Sequence, residues 1–98
     1  MIGLFLGSTD FPKKILNKIK KKKKKYFIID LTRSNLFKKD INSYHISIGK
    51  FGQILKLVNK KKCKNVLFAG KIDKPRLSNL KLEELTQVLR GGSKIIKH

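Results

Sequence analysis

The sequence predicts an α/β fold: a Rossmann-like parallel sheet, or one mixed at an edge, of about four strands flanked by helices. Three observations carry this. Short apolar runs of strand length alternate with longer amphipathic stretches of helical period. The resulting order is β–α–β–turn–β–α–β–α, which calls for crossovers rather than hairpins. Three of the strands run out into a glycine, at Gly7, Gly49 and Gly70.

The first strand is Ile2-Gly3-Leu4-Phe5-Leu6, a continuous apolar run too short for a helix and typical of strands buried on both faces. Gly7-Ser8-Thr9-Asp10 and Phe11-Pro12 follow. Proline suits the first turn of a helix, and Ser8, Thr9 or Asp10 can cap it. That helix is expected from about Pro12 to Lys24, with Ile15, Leu16 and Ile19 as its apolar stripe. It ends in an unbroken lysine run, Lys20 to Lys25.

Tyr26 to Leu31 is the second strand, rich in β-branched and aromatic side chains. Asp30 near its end is where a dinucleotide-binding fold keeps a ribose-binding acid, but the G-x-G-x-x-G spacing is missing from the first loop. NAD binding is therefore disfavoured. Thr32 to Asn42 is a polar connection in which Leu36-Phe37 should pin a short helical turn to the sheet.

Ser43 to Ile48 alternates in polarity like a strand nearer an edge, with His45 facing solvent. After Gly49 a helix from about Lys50 to Lys62 should bury Ile54, Leu55, Leu57 and Val58. Asn65 to Ala69 is the fourth strand, and Gly70 to Pro75 the loop beyond it. A last helix near Lys81 to Leu89 stops at Gly91-Gly92, and Ser93 to His98 is a tail.

At 98 residues the chain can build one small core. Its net charge of +19 and pI near 10.4 invite a polyanion. Yet only Arg33, Arg76 and Arg90 are arginines, and lysine, isoleucine and asparagine are abundant together, as AT-rich coding would give. The excess charge is read first as solvated surface. The single cysteine, Cys63, excludes an internal disulfide and a cysteine-based zinc site, and reads as packing. No apolar run approaches the ~20 residues of a membrane span. The opening apolar run has no basic segment before it and reads as a strand, not a secretory signal.

Right-handed crossovers place the loops after parallel strands on one edge, where α/β sheets bind ligands. The candidate binding residues are therefore Gly7, Ser8, Thr9 and Asp10, then Gly49, Lys50, Phe51, Gly52 and Gln53, then Gly70, Lys71 and Lys74. Helix N-termini with lysine suit a phosphate or diphosphate. No nucleophile–base pair is visible, so no catalytic or metal-ligating residue is assigned.

These three loops also resemble a known family. Phe11-Pro12 closes the first. Ile48-Gly49-Lys50-Phe51-Gly52-Gln53-Ile54 and Phe68-Ala69-Gly70-Lys71-Ile72-Asp73-Lys74-Pro75 are the specific parts. They are similar to the UDP-2,3-diacylglucosamine pyrophosphatase of lipid A biosynthesis, LpxI type, although the opening loop has Ser8 and Thr9 where the family tends to carry further glycines. The resemblance implies a Rossmann-like N-terminal substrate-binding domain over residues 1–90, with 91–98 a junction toward a C-terminal catalytic domain outside this chain. It implies hydrolysis of the diphosphate to UMP and 2,3-diacylglucosamine 1-phosphate, with a divalent metal, usually magnesium, held by that other domain. This half is expected to be inactive alone. The implied partners are the UDP-linked glycolipid and the C-terminal domain, with an anionic membrane surface and a homodimer as further candidates. The implied location is the cytoplasm, including the inner face of the inner membrane.

The rival reading is a small basic nucleic-acid-binding protein, supported by net charge alone and ranked second. The lysine runs lack the interleaved aromatics of a single-strand platform.

Overall fold

The computed structural model describes residues 1–8, 11–70, 83–85, 87 and 94–97; for Phe11 and for 94–97 the backbone alone is described. The elements are β1 (Ile2–Leu6), α1 (Phe11–Lys21), β2 (Tyr26–Asp30), β3 (Ser43–His45), a 3-10 turn (Ile48–Lys50), α2 (Phe51–Lys60), β4 (Asn65–Ala69) and β5 (Lys94–Lys97). The strands form one sheet in the order β3-β2-β1-β4-β5, and every pairing is parallel. The predicted α/β Rossmann-like class is what the chain adopts, with no antiparallel edge among the described strands.

The sheet separates two cores, and the strand residues sort onto them by their period of two. Leu4, Leu6, Ile28 and Ala69 face Leu16 of α1 and Phe37 of the β2–β3 connection, with Ile15 and Ile19 packed alongside. Phe5, Phe27, Ile29, Val66 and Phe68 face Ile54 and Val58 of α2, together with Leu85. Phe5 and Phe68, paired across β1 and β4, hold their ring centroids 4.7 Å apart. Burial of such a side chain contributes roughly 1.5–3 kcal/mol. One face thus carries the β1–β2 and β2–β3 crossovers and the other carries α2, the arrangement right-handed crossovers impose when the chain reverses direction across a sheet.

Several boundaries differ from expectation. β3 ends at His45, not Ile48. Ile46 still donates its N–H to Asp30 O at 3.3 Å, but Ser47 then caps the 3-10 turn. Ile48 is buried there, so the alternation of Ile46 and Ile48 reflects packing under α2 and not a longer strand. Both helices stop before the ends of their lysine runs. Lys23 (φ 54) and Lys62 (φ 53) turn the chain in the left-handed region. Phe37 is buried, as expected, whereas Leu36 is 41% exposed and pins nothing. The segment 91–98, read as a junction or tail, contributes β5, whose Lys94 pairs with Asn65. Glu83, Glu84, Leu85 and Gln87 are helical within the predicted last helix.

Candidate functional site

Every strand ends on the same edge. Leu6 is level with Asp30 on one side and Ala69 on the other, and Asp30 is level with His45. The chain runs from β1 toward β2 and β3, and then α2 returns it past β1 to β4. The strand order therefore reverses between β1 and β4, and the loops after these two strands flank the crevice where open α/β sheets bind ligands.

Those two loops are locked together. Gly7 donates its N–H to Ala69 O at 2.8 Å. Gly70 sits at φ +90, and a Cβ there would lie 2.5 Å from Pro12 Cγ and 2.7 Å from Ser8 O. Only glycine combines that dihedral with that approach. Pro12 itself is fully buried, so the start of α1 is fixed against the tip of β4.

The predicted binding residues divide by exposure. Ser8, Gly49, Lys50, Gly52 and Gln53 are exposed, and Gly70 is half-buried. Gly7 is buried and spends its amide on the sheet, so it shapes the loop and offers no free donor. Phe51 is 5% exposed and belongs to the α2 core, where it anchors the first turn of the helix. The Gly49 and Lys50 amides are bonded to Ser47 Oγ and Ser47 O. Lys50 stands at the N-cap of α2 with no side-chain capping bond. A Cβ on Gly52 would meet nothing within 4 Å, so the chain's own packing does not call for glycine there. Gly7 and Gly70 are brought into contact. The Gly49–Gln53 segment follows β3, two strand spacings or about 10 Å from β1 along the same edge. Thr9, Asp10, Lys71 and Lys74 lie outside the described residues.

The edge holds further groups that sequence reasoning did not select. Asp30 is fully buried, and its carboxylate organises the β2–β3 connection. Oδ1 accepts from Thr32 N at 2.9 Å and Thr32 Oγ1 at 2.6 Å, and Oδ2 accepts from Phe37 N at 2.9 Å. The acid is thus engaged by its own loop and not presented to a ribose. The Asp-x-Thr spacing of an Asx turn was the available signal. His45 donates Nε2–H to Thr32 O at 2.6 Å. Arg33, next to Thr32, is exposed at the same edge. With Lys50 it gives the edge cations suited to phosphate oxygens.

Cys63 is buried and packs in the α2 core, its thiol donating to Asn65 O at 2.9 Å. Burial raises its pKa above the ordinary thiol value, which is unsuited to a nucleophile. Among the described residues no group of three or more His, Cys, Asp or Glu is placed to hold a metal ion. No helix among them is long and apolar enough to cross a membrane.

Comparison with protein families matches residues 1–91 to the LpxI N-terminal domain. No curated protein and no solved structure matches the chain.

Proposed function

The chain belongs to the LpxI N-terminal domain family, and from that premise we propose that it is the substrate-binding half of a UDP-2,3-diacylglucosamine diphosphatase of lipid A biosynthesis. The diphosphate would lie along the carboxyl edge of the sheet, over the joined loops after β1 and β4. Ser8, the backbone at Gly70, the first turn of α2 with Lys50, and Arg33 would hold its oxygens. Helix N-terminal amides and cations favour bound phosphate without supplying a nucleophile. Bond cleavage to UMP and 2,3-diacylglucosamine 1-phosphate, and the divalent metal it needs, would belong to a C-terminal catalytic domain.

The observation that supports this reading most is the glycine-only contact of Gly70 with Ser8 and Pro12 at the reversal of strand order. It holds the backbones of the two strand-end loops side by side at the edge where an extended anion can meet them.

A nitrogen-15 amide titration of the chain with UMP and with UDP tests it. Saturable shifts at Ser8, Gly49–Gln53 and Gly70 are expected, larger with UDP. Absence of shifts at millimolar nucleotide, or shifts confined to the opposite edge of the sheet, would overturn the binding role. The purified chain should release no UMP from the glycolipid; measurable release would overturn its assignment as a non-catalytic half.

A further inference from the structure

The edge opposite the crevice carries a second feature, independent of the reading above. Two lysine runs far apart in sequence converge on the start of β1. Ile2 N donates to Lys25 O at 3.0 Å, and Lys64 N donates to Met1 O at 3.4 Å. The first run leads into β2 and the second into β4, and β2 and β4 are the two neighbours of β1. Lys21 through Lys25, and Lys60, Lys62 and Lys64, are exposed. Two members are engaged within the chain: Lys20 pairs with Asp40 at 3.3 Å, and Lys61 lies 5.2 Å from the centroid of the Tyr44 ring.

We propose that this lysine-rich amino edge is a docking surface for duplex nucleic acid, gripping phosphates without regard to base sequence. Three observations favour that partner. First, Lys25 and Lys64, which lead into β2 and β4, flank β1 about 10 Å apart by strand spacing, and the rest of each run continues onto one face of the sheet at the end of α1 or α2. Phosphate rows bordering a duplex groove are separated on that scale, the grooves being roughly 6 and 12 Å wide. Second, each run turns at a left-handed lysine, Lys23 or Lys62, a conformation that glycine adopts without strain. Charge is kept at a conformational cost. Third, neither run carries the aromatic or leucine anchors of a bilayer-bound surface, nor the aromatics on which single-stranded bases stack. A bilayer held here would also sit a strand's length, about 17 Å, from the crevice edge.

Fluorescence anisotropy of the full chain with a labelled mixed-sequence DNA duplex, and with a scrambled one, tests the proposal over 50 to 200 mM salt. Engagement of about six phosphates gives a slope of log K against log salt near −5. That slope corresponds to a roughly thousandfold loss of affinity over the range. The two duplexes should bind alike. Replacing Lys21, Lys22, Lys24 and Lys25 by Gln should flatten the slope by about 3 to 4, near 0.9 for each lost contact. Replacing the exposed Lys13, Lys14, Lys38 and Lys56 by Gln makes the same change in net charge elsewhere and should move it by less than about 1. Circular dichroism should show both variants folded. Equal flattening by the two variants, a tenfold preference for one duplex, or binding to vesicles of phosphatidylcholine with phosphatidylserine but not to DNA would each overturn it.

Discussion

Gly70 presses its backbone against Pro12: a Cβ on Gly70 would stand 2.5 Å from Pro12 Cγ. Neither side can give way, because Pro12 is fully buried and the next contact, at 2.7 Å, is the carbonyl of Ser8. Gly70→Ala therefore combines a clash with a side chain forced to φ +90. The expected loss is about 3 kcal/mol. For a domain of this size that lowers Tm by at least about 12 °C. A thermal melt followed by circular dichroism reads it, and an unchanged Tm would mean that the two loops are not in contact.

Gly52 should respond with the opposite sign. It lies in the first turn of α2, exposed, with open space where a Cβ would go. Gly52→Ala should raise stability by roughly 0.5 kcal/mol through helix propensity. If a phosphate approaches the backbone at this turn, the added methyl should weaken UDP affinity at least tenfold while Tm rises. A rise in Tm with unchanged UDP affinity would remove Gly52 from the binding site.

Asp30 links the sheet to the loop beyond β2. Its carboxylate takes three donors, from Thr32 and Phe37, with no exposure to solvent. Asn at this position sets an NH2 against one of those donors. The cost is about 2–3 kcal/mol, as expected when a buried charged acceptor is lost. Urea denaturation of Asp30→Asn should show a lower midpoint at unchanged slope. The wild-type chain should also fail to bind NAD, since the acid that would meet a ribose is already taken.

What the sequence displayed was the local order. Asn65–Ala69 is a strand over the residues its apolar run marks, and Gly70 is left-handed where a turn was expected. Pairing partners were beyond it: nothing in Ile2–Leu6 says that β4 lies on the side of β1 away from β2. β5 was missed because Lys-Ile-Ile-Lys is short and flanked by charge, so its pairing with β4 outweighs a weak local signal. Gly7 and Phe51 were selected for the site by position in a motif, yet burial assigns one to the loop's shape and the other to the core. His45 becomes linked to Thr32 only when the chain closes on itself, whereas the Asp30–Thr32 turn is local and its spacing was there to be seen.

The contact of Tyr26 with Asp40 makes stability depend on pH at both extremes. Burial pushes the Asp40 carboxyl upward, but bonds from Asn42 N–H, the Tyr26 hydroxyl and Lys20 outweigh it and hold the pKa below the ordinary 3.8. Its stabilisation is complete above that value and disappears as pH falls through the lower folded value. Burial, then the Asp40 bond and charge, raise the Tyr26 phenol above 10.0. That contribution is complete below pH 10.0 and is lost as pH rises through the folded value. Asp40→Asn should cost about 1–2 kcal/mol at neutral pH, chiefly through the hydrogen bonds, because Lys20 is half exposed. The difference in Tm from wild type should shrink once pH falls below the ordinary carboxyl value. A difference that stays constant into acid would show that the charge on Asp40 is immaterial.

Lys62 offers a stabilising change that also separates fold from charge. Cys63 N donates to Val58 O at 3.2 Å and Lys62 N donates to Asn59 O at 3.1 Å, the paired bonds of a Schellman ending. The left-handed residue of that motif is usually glycine, and here it is lysine at φ 53. Lys62→Gly removes roughly 1–2 kcal/mol of backbone strain. It also gives the unfolded chain more freedom, which takes back about 0.4–1 kcal/mol. The net gain should approach 1 kcal/mol, or about 4–8 °C in Tm. Lys62→Gln removes the charge and keeps the Cβ, so it should leave Tm near the wild-type value at high salt. If Gln stabilises as much as Gly there, relief of lysine repulsion rather than of backbone strain is the cause, and the left-handed ending of α2 costs the fold nothing.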